Sequence, residues 1–316
     1  MTTALAELRS RVRGTVRYDE PLARYTTYRL GGPAAALVEP RSVEDVVAAL
    51  AFAREAGLPW LALGLGSNVL ISDAGFEGVV VRVGKGLDEV RVQGPDTWTV
   101  GAGLPTPLLA KRSAGAGLAG AQRMIGVPGT VGGGVFMNAG AHGQDFSLIV
   151  RSVELVQPDG TTSVLEGSNI PWRYRSAGID ACVIVGVTLQ FTPGDPRELQ
   201  ADIRRHLEWR KAGTPFDQPC CGSVFRNPSA PSGAVRAAAA APDARPPGMT
   251  AGQLIDAAGL KGFRIGGAQV SAMHANYIVN LGTATAADVK AVIDAVRQRV
   301  FAEFGVELEL EVRIIG

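Results

Sequence analysis

The chain has 316 residues, 46% of them apolar, and a formal net charge of +1. That length exceeds one ordinary core and predicts two or three domains with ample material to bury. The near-zero charge excludes a nucleic-acid or membrane-surface role resting on bulk electrostatics, so an anionic ligand must be held by local cations or backbone N–H groups. The N-terminal stretch MTTALAELRSRVRG has no apolar core of signal-peptide length, and no run approaches the roughly 18 apolar residues of a membrane helix. The three cysteines, Cys182, Cys220 and Cys221, show no CxxC or Cys/His metal spacing. The expectation is a cytoplasmic, reduced protein with no metal and no membrane insertion.

Ser42-Val43-Glu44-Asp45 reads as a capping box opening a helix, with Val43, Val46, Val47 and Leu50 on one face and Gly57 at its end. An apolar strand, PWLALGLG, follows and breaks at Ser67-Asn68. Short strands are predicted at 78–83, 89–92 and 98–102, and a helix at 105–114. Two strands, 151–157 and 161–165, flank the hairpin turn Pro158-Asp159-Gly160, and 181–191 is a long apolar strand. This middle third has no repeating βα pattern, which argues against a doubly wound nucleotide fold there.

Composition shifts at Pro193-Gly194-Asp195-Pro196, where Asp195 caps a helix lined by Leu199, Ile203 and Leu207. Thr250 and Thr285 open two further helices. The second carries Val289, Val292, Ile293, Val296 and Val300 as its buried stripe and stops at Gly305. The stretch from Pro228 to Gly248 is Ala/Pro-rich and reads as a flexible surface insertion. The C-terminal VELELEVRIIG alternates, placing Val306, Leu308, Leu310, Val312 and Ile314 on a buried face and Glu307, Glu309, Glu311 and Arg313 on a charged one.

Two glycine-rich turns stand out. Six glycines fall within 126–140, in the run GVPGTVGGGVFMNAGAHG, at a density no core strand or helix benefits from. Such a backbone passes close to something, and bare N–H groups in a tight turn form a cradle for phosphate. Gly64-Leu65-Gly66-Ser67-Asn68 is a weak dinucleotide fingerprint, because Val69 stands where a third glycine belongs and no helix follows. Taken together, two such turns suit a pyrophosphate-linked dinucleotide. A glycine-rich hairpin tip is the plainer alternative.

Beyond these turns, TTYRLGGPA (26–34), LGLGSNVLISD (63–73), YRSAG (174–178), GSVFRNP (222–228), AGQLIDAAGLKG (251–262), HANYIVN (274–280) and LELEVRIIG (308–316) occur in order along nearly the whole chain. With the glycine-rich run they resemble the UDP-N-acetylenolpyruvoylglucosamine reductase family. The resemblance implies an α+β fold: an FAD-binding domain of the vanillyl-alcohol-oxidase type with two subdomains, 1–83 and 84–194. A smaller α+β substrate domain is expected over 195–305, with a flexible insertion at 228–249 and a final strand, 306–316, returning to the first subdomain. The implied activity is NADPH-dependent reduction of UDP-N-acetylglucosamine enolpyruvate to UDP-N-acetylmuramate through non-covalently bound FAD, for peptidoglycan synthesis, by a monomer with no nucleic-acid partner.

The resemblance also implies roles. Ser223 matches the proton donor, and Arg175 and Glu311 match two stabilising residues. FAD is expected on Gly64, Leu65, Gly66, Ser67 and Asn68. It is expected also on Gly126, Pro128, Gly129, Thr130, Gly132 and Gly133, and on Asn138, Ala139, Gly140, Ala141 and Val183. Lys211, Asn227 and Lys261 fall where substrate nucleotide and phosphates are held, Tyr174 lies beside flavin and nicotinamide, and His274 stands at another substrate-associated position. The short segment after Tyr174 implies the compact subtype. Charge develops beside the enolpyruvyl carboxylate, so an ionised Glu311 would repel it; Glu311 is expected to be protonated or to orient Arg175. On pattern alone, Ser223 is a turn residue, Arg175 a surface cation, Glu311 a solvated carboxylate, and His142 and His206 are structural. Two rival functions stay open: a flavin oxidase acting on an alcohol with oxygen, and a non-catalytic nucleotide-binding protein.

Overall fold

The computed structural model describes residues 2–228 and 248–316, so the insertion expected at 228–249 lies, but for its ends, outside the described residues. The chain forms two compact units, neither continuous in sequence.

The first unit comprises residues up to Glu20, Pro33–Leu65 and Phe76–Arg210. One sheet has the strand order Thr15–Pro21, Pro33–Glu39, Phe76–Arg82, Trp60–Leu63, with the last three parallel. Helices α1 (Thr2–Arg11) and α2 (Val43–Glu55) supply Leu8, Val46, Leu50 and Phe52 to the same core as Val79 and Val81 of that sheet. The other sheet is antiparallel, in the order Thr162–Glu166, Val150–Val156, Val183–Gln190, Thr97–Gly101, Val90–Val92. Its hairpin turns where predicted, Asp159 Oδ1 accepting the Thr161 N–H at 2.9 Å. Val183–Gln190 is buried at all but two positions, which is why it reads as an unbroken apolar run. Helices α3 (Thr106–Gly115) and α4 (Val131–Phe136) complete the glycine-rich region.

The opening of α2 departs from the predicted capping box. Ser42 sits at the N-cap position without a side-chain cap. The Asp45 carboxylate instead accepts the N–H groups of Arg13, Gly14 and Arg41 at 2.7, 2.9 and 2.8 Å, tying the chain ahead of the sheet to the helix. Three charge-assisted bonds from backbone donors outweigh one local cap.

The second unit comprises Pro21–Gly32, Gly66–Gly75 and Lys211–Gly316. Helix α5 (Pro196–Gly213) starts on Asp195, whose Oδ1 accepts the Arg197 N–H at 2.7 Å, and ends at the boundary. Its Leu199 and Ile203 pack with Ala110, Ala114 and Ile125, so the helix through Arg210 belongs to the first unit rather than to the region expected to start at 195. Helices α6 (Ala251–Ala257) and α7 (Ala286–Phe304) both open on complete capping boxes, from Thr250 and Thr285. The expected α7 stripe is buried, and Gly305 ends the helix in the left-handed conformation, φ 63°. These helices accompany a small antiparallel sheet of Arg264–Ile265, Ala268–Val270 and Ile278–Asn280.

The C-terminus differs from the predicted strand. Only Arg313–Ile315 is regular, pairing parallel with Val69–Ile71. This pairing draws 66–75 into the second unit, away from the first subdomain expected over 1–83. Val306, Leu308 and Val312 are buried as the alternation requires, but Leu310 is half-buried and Ile314 exposed.

Candidate active site

In the first unit, Trp60–Leu63 delivers Gly64 against Thr130: a Cβ at position 64 would lie 2.6 Å from Thr130 Oγ1. The two glycine-rich turns therefore meet. Thr130 is the N-cap of α4, its Oγ1 accepting the Gly133 N–H at 3.3 Å. The Val131 and Gly132 N–H groups donate to the carbonyls of Leu104 and Ala102, each at 2.8 Å. The first amides of this short helix are thus consumed internally and are not open to a phosphate.

The available donors lie just before it. The amides of Leu65, Gly129 and Thr130 have no hydrogen-bond partner among the described residues, although Gly129 and Thr130 are buried. Buried backbone N–H groups are nearly always paired, so orphans in a glycine-rich turn fit the diphosphate of a dinucleotide. Gly133 is exposed, and a Cβ there would meet nothing closer than Thr130 Oγ1 at 3.5 Å. Other glycines of the run serve the protein itself: a Cβ at Gly132 would lie 2.8 Å from that of Ala102, and one at Gly134 2.2 Å from the buried ring of Phe146. Gly126 faces the Arg210 side chain, Pro128 is exposed, and Val183 is fully buried.

The same segment carries the Tyr174–Arg175 turn. Asn138 Nδ2 donates to the Arg173 carbonyl at 3.2 Å, and its Oδ1 accepts the Ser147 N–H at 3.1 Å. Ala139 N–H bonds the Gly134 carbonyl, and Gly140-Ala141 pair with Gln144-Asp145. Arg173 and Ser176 exchange backbone bonds, leaving Tyr174 and Arg175 at the tip of a tight turn. Arg175 has φ 57°, and its guanidinium carbon sits 4.8 Å from the centroid of the exposed Tyr174 ring.

Nearby, His142 and His206 stack with centroids 4.1 Å apart, and Trp209 stands edge-on to His142 at 4.6 Å. Asp202 bonds Arg123 Nε at 3.1 Å and His206 Nε2 at 3.2 Å. Burial first, then the neighbouring His206 and arginines, hold His142 below the ordinary imidazole range.

In the second unit, the segment that follows Ser223 meets the one that carries Glu311. Phe225 and Leu310 form an antiparallel bridge, and the Glu311 N–H donates to the Val224 carbonyl at 2.8 Å. Asn68 joins them: its Nδ2 donates to the Glu311 carbonyl, and its own carbonyl accepts the Arg313 N–H, both at 3.0 Å. Gly66 precedes it in the left-handed conformation, φ 62°, where a Cβ would stand 2.1 Å from the Tyr25 carbonyl oxygen; Ser67 lies between. Glu307 and Glu309 are exposed, as the alternation demands, but Glu311 is half-buried because regular alternation stops at Leu310. Beneath lies Cys221, whose thiol is pushed far up by burial, with Cys220 and Glu311 adding to the effect. It is an inert core group rather than a nucleophile.

The residues expected to meet substrate also gather in this unit. Asn227 is exposed, its Oδ1 accepting the N–H of Ala251, the first residue of α6. His274 packs over the same helix start, 3.2 Å from where a Gly252 Cβ would be. Lys261 pairs with Asp256 of α6 at 2.7 Å, and Lys211 is exposed at the end of α5. Arg175 and Tyr174 belong to the first unit, so contacts within a unit do not join them to Ser223 and Glu311. Among the described residues no cluster of His, Cys, Asp and Glu could hold a metal ion, and no helix is long and apolar enough to cross a membrane.

Residues 34–166 match the family model of an FAD binding domain, and 214–315 match that of the C-terminal domain of UDP-N-acetylenolpyruvoylglucosamine reductase. A protein named for that reductase in Halalkalibacterium halodurans is 40% identical over 318 residues, covering 100% of this chain and 99% of the relative. Another in Rubrobacter xylanophilus is 40% identical over 303 residues, covering 95% of each. The crystal structure of the UDP-N-acetylenolpyruvylglucosamine reductase of Thermus caldophilus superposes with a TM-score of 0.77 at 32% identity, covering 96% of this chain and 99% of that one. The fold is α+β with an FAD-binding domain, as the motifs implied. With full-length identity at this level and both domain models matched in order, the chain belongs to the UDP-N-acetylenolpyruvoylglucosamine reductase family.

Proposed function

We propose that the protein is an FAD-containing, NADPH-dependent oxidoreductase that reduces UDP-N-acetylglucosamine enolpyruvate to UDP-N-acetylmuramate, a peptidoglycan precursor. Family membership supports the activity and the cofactor. The observation that supports the residue assignment is the bond from Glu311 N–H to the Val224 carbonyl, which brings the segment that follows Ser223 against the one that carries the half-buried Glu311. The first unit would hold FAD through the Leu65, Gly129 and Thr130 amides, and the second would hold the sugar nucleotide through Asn227, Lys261, Lys211 and His274.

When bound, FAD supplies a hydride relay from NADPH to the terminal carbon of the enolpyruvyl ether. The residues handle what remains. Hydride arrival leaves negative charge on the neighbouring carbon and its carboxylate. Arg175, always cationic and forked, suits that carboxylate, and Glu311 carrying its proton would donate to the same charge. The carbanion-like centre is basic enough to break the Ser223 O–H bond and form the new C–H bond, and the alkoxide regains a proton from water. Removing Arg175 or Glu311 should cost the step on the order of 3–4 kcal/mol, the size of one oxyanion donor.

The decisive measurement separates the two half-reactions by rapid mixing. Ser223→Ala is expected to bleach its flavin with NADPH as the parent does, and to recolour with the enolpyruvyl sugar roughly 100-fold or more slowly. Equal slowing of both halves defeats the proton-donor role. A parent flavin that NADPH leaves oxidised defeats the reductase reading altogether.

A further inference from the structure

Ser223 can donate a proton only as accurately as its backbone is held, yet residues 221–228 form no helix and only an isolated bridge at Phe225. Gly222, immediately before it, has φ 80° and nothing within 4 Å of where a Cβ would be. The 306–312 segment takes the Val224 carbonyl and the Arg226 N–H, and most of the remaining hold comes from one residue 51 positions after Phe225, Asn276. The main-chain carbonyl of Asn276 accepts the Val224 N–H at 2.9 Å. Its side-chain Oδ1 accepts the Phe225 N–H at 3.0 Å, and its Nδ2 donates to the Phe225 carbonyl at 2.8 Å. The remaining carbonyl, that of Val224, takes the Glu311 N–H. All four backbone polar groups of the dipeptide after Ser223 are therefore occupied, three of them by Asn276. Asn276 is 4% exposed, Val224 0% and Phe225 1%.

A carboxamide presents one acceptor and one donor side by side, as a peptide unit does, so it pins an irregular segment where no neighbouring strand runs. Asn276 is itself anchored, its N–H donating to His274 Nδ1 at 3.2 Å.

We infer that Asn276 is a positioning residue for proton transfer: it locks the Val224–Phe225 dipeptide so that the Ser223 hydroxyl stays in register with the segment carrying Glu311. The inference rests on Ser223 being the proton donor. Asn276 needs to touch neither substrate nor cofactor, and loss of its carboxamide strands two buried backbone groups and frees the donor to drift.

The test uses the FAD-loaded enzyme in four forms: Asn276→Leu, Asn276→Gln, Ser223→Ala and the double variant Ser223→Ala/Asn276→Leu. Flavin bleaching by NADPH in Asn276→Leu is expected within about twofold of the parent. Recolouring by UDP-N-acetylglucosamine enolpyruvate is expected to slow about 100-fold, the scale of a 1 Å misplacement, with a larger solvent deuterium isotope effect. The double variant should be no slower than Ser223→Ala, because both changes disable one step. If Asn276→Leu does not fold, Asn276→Gln keeps both amide groups, shifts them by a methylene, and should show the same split at about tenfold. Parent-like recolouring in the folded variant, equal slowing of both halves, or losses that multiply in the double variant overturn the inference. Ser223→Ala recolouring at the parent rate would instead overturn the donor reading, so the two failures are distinct.

Discussion

The glycine turns of the first unit and the Ser223 segment of the second are opposite solutions to holding a ligand. Around Gly129 and Thr130, buried amides are left unpartnered. Around Val224 and Phe225, every backbone polar group is taken, and Ser223 immediately precedes them. The first arrangement receives charge, since its donors are satisfied only when something arrives. The second holds still, since no backbone polar group of the dipeptide is left to seek another partner.

That contrast can be broken by asking which glycines are there for the fold and which for the ligand. Gly66→Ala should have the largest effect, on the order of 3 kcal/mol of unfolding free energy by urea titration, because its φ is positive and a backbone oxygen fills the Cβ position. Parent-like stability would mean that the Tyr25 carbonyl yields cheaply. Gly133→Ala should behave in the opposite way. The protein leaves room there, so stability should hold or rise slightly, while FAD affinity, measured by fluorescence titration of the apoprotein, falls about tenfold. Unchanged FAD affinity would show that no phosphate passes close to Gly133. The smallest effect concerns the His142–His206 stack. Because His142 is held below its ordinary range, the unfolded chain binds its proton first as pH falls. Its stabilisation is full above about pH 6.5 and is lost as pH drops through the folded value, lowering Tm slightly. His142→Phe should flatten that slope, and an identical slope would assign it to other groups.

Locally encoded features were legible. The Thr250 and Thr285 boxes, the Gly305 stop, the α7 stripe and the Asp159 turn each depend on a few neighbouring residues, and each forms as read. Features decided at long range were not. Ser42 looked like a cap, but Asp45 found donors more than 30 residues earlier in the chain. Glu311 followed a charged alternation, yet bonds to Val224 and Asn68 withdrew it from solvent. The glycine count marked both turns but could not separate Gly134, crowded by Phe146, from Gly133, which faces space. Asn276 left only a faint trace, one amide ahead of the apolar Ile278–Asn280 strand, and its role shows only when Phe225 is placed against it. Ser223 and Arg175 stand out only through family resemblance, because a hydroxyl after glycine and an arginine in a turn are commonplace.

The parallel pairing of Val69–Ile71 with Arg313–Ile315 has a consequence for the order of folding. The two strands lie more than 240 residues apart in sequence, so closing the loop between them is costly in chain entropy and comes late in assembly. Until Arg313 N–H reaches the Asn68 carbonyl and Ser72 N–H the Ile315 carbonyl, at 3.0 and 2.8 Å, the Gly66–Asn68 half of the first glycine turn lacks its neighbour, and so does Glu311. Loss of Arg313–Ile315 would remove the ladder on which that half-turn leans.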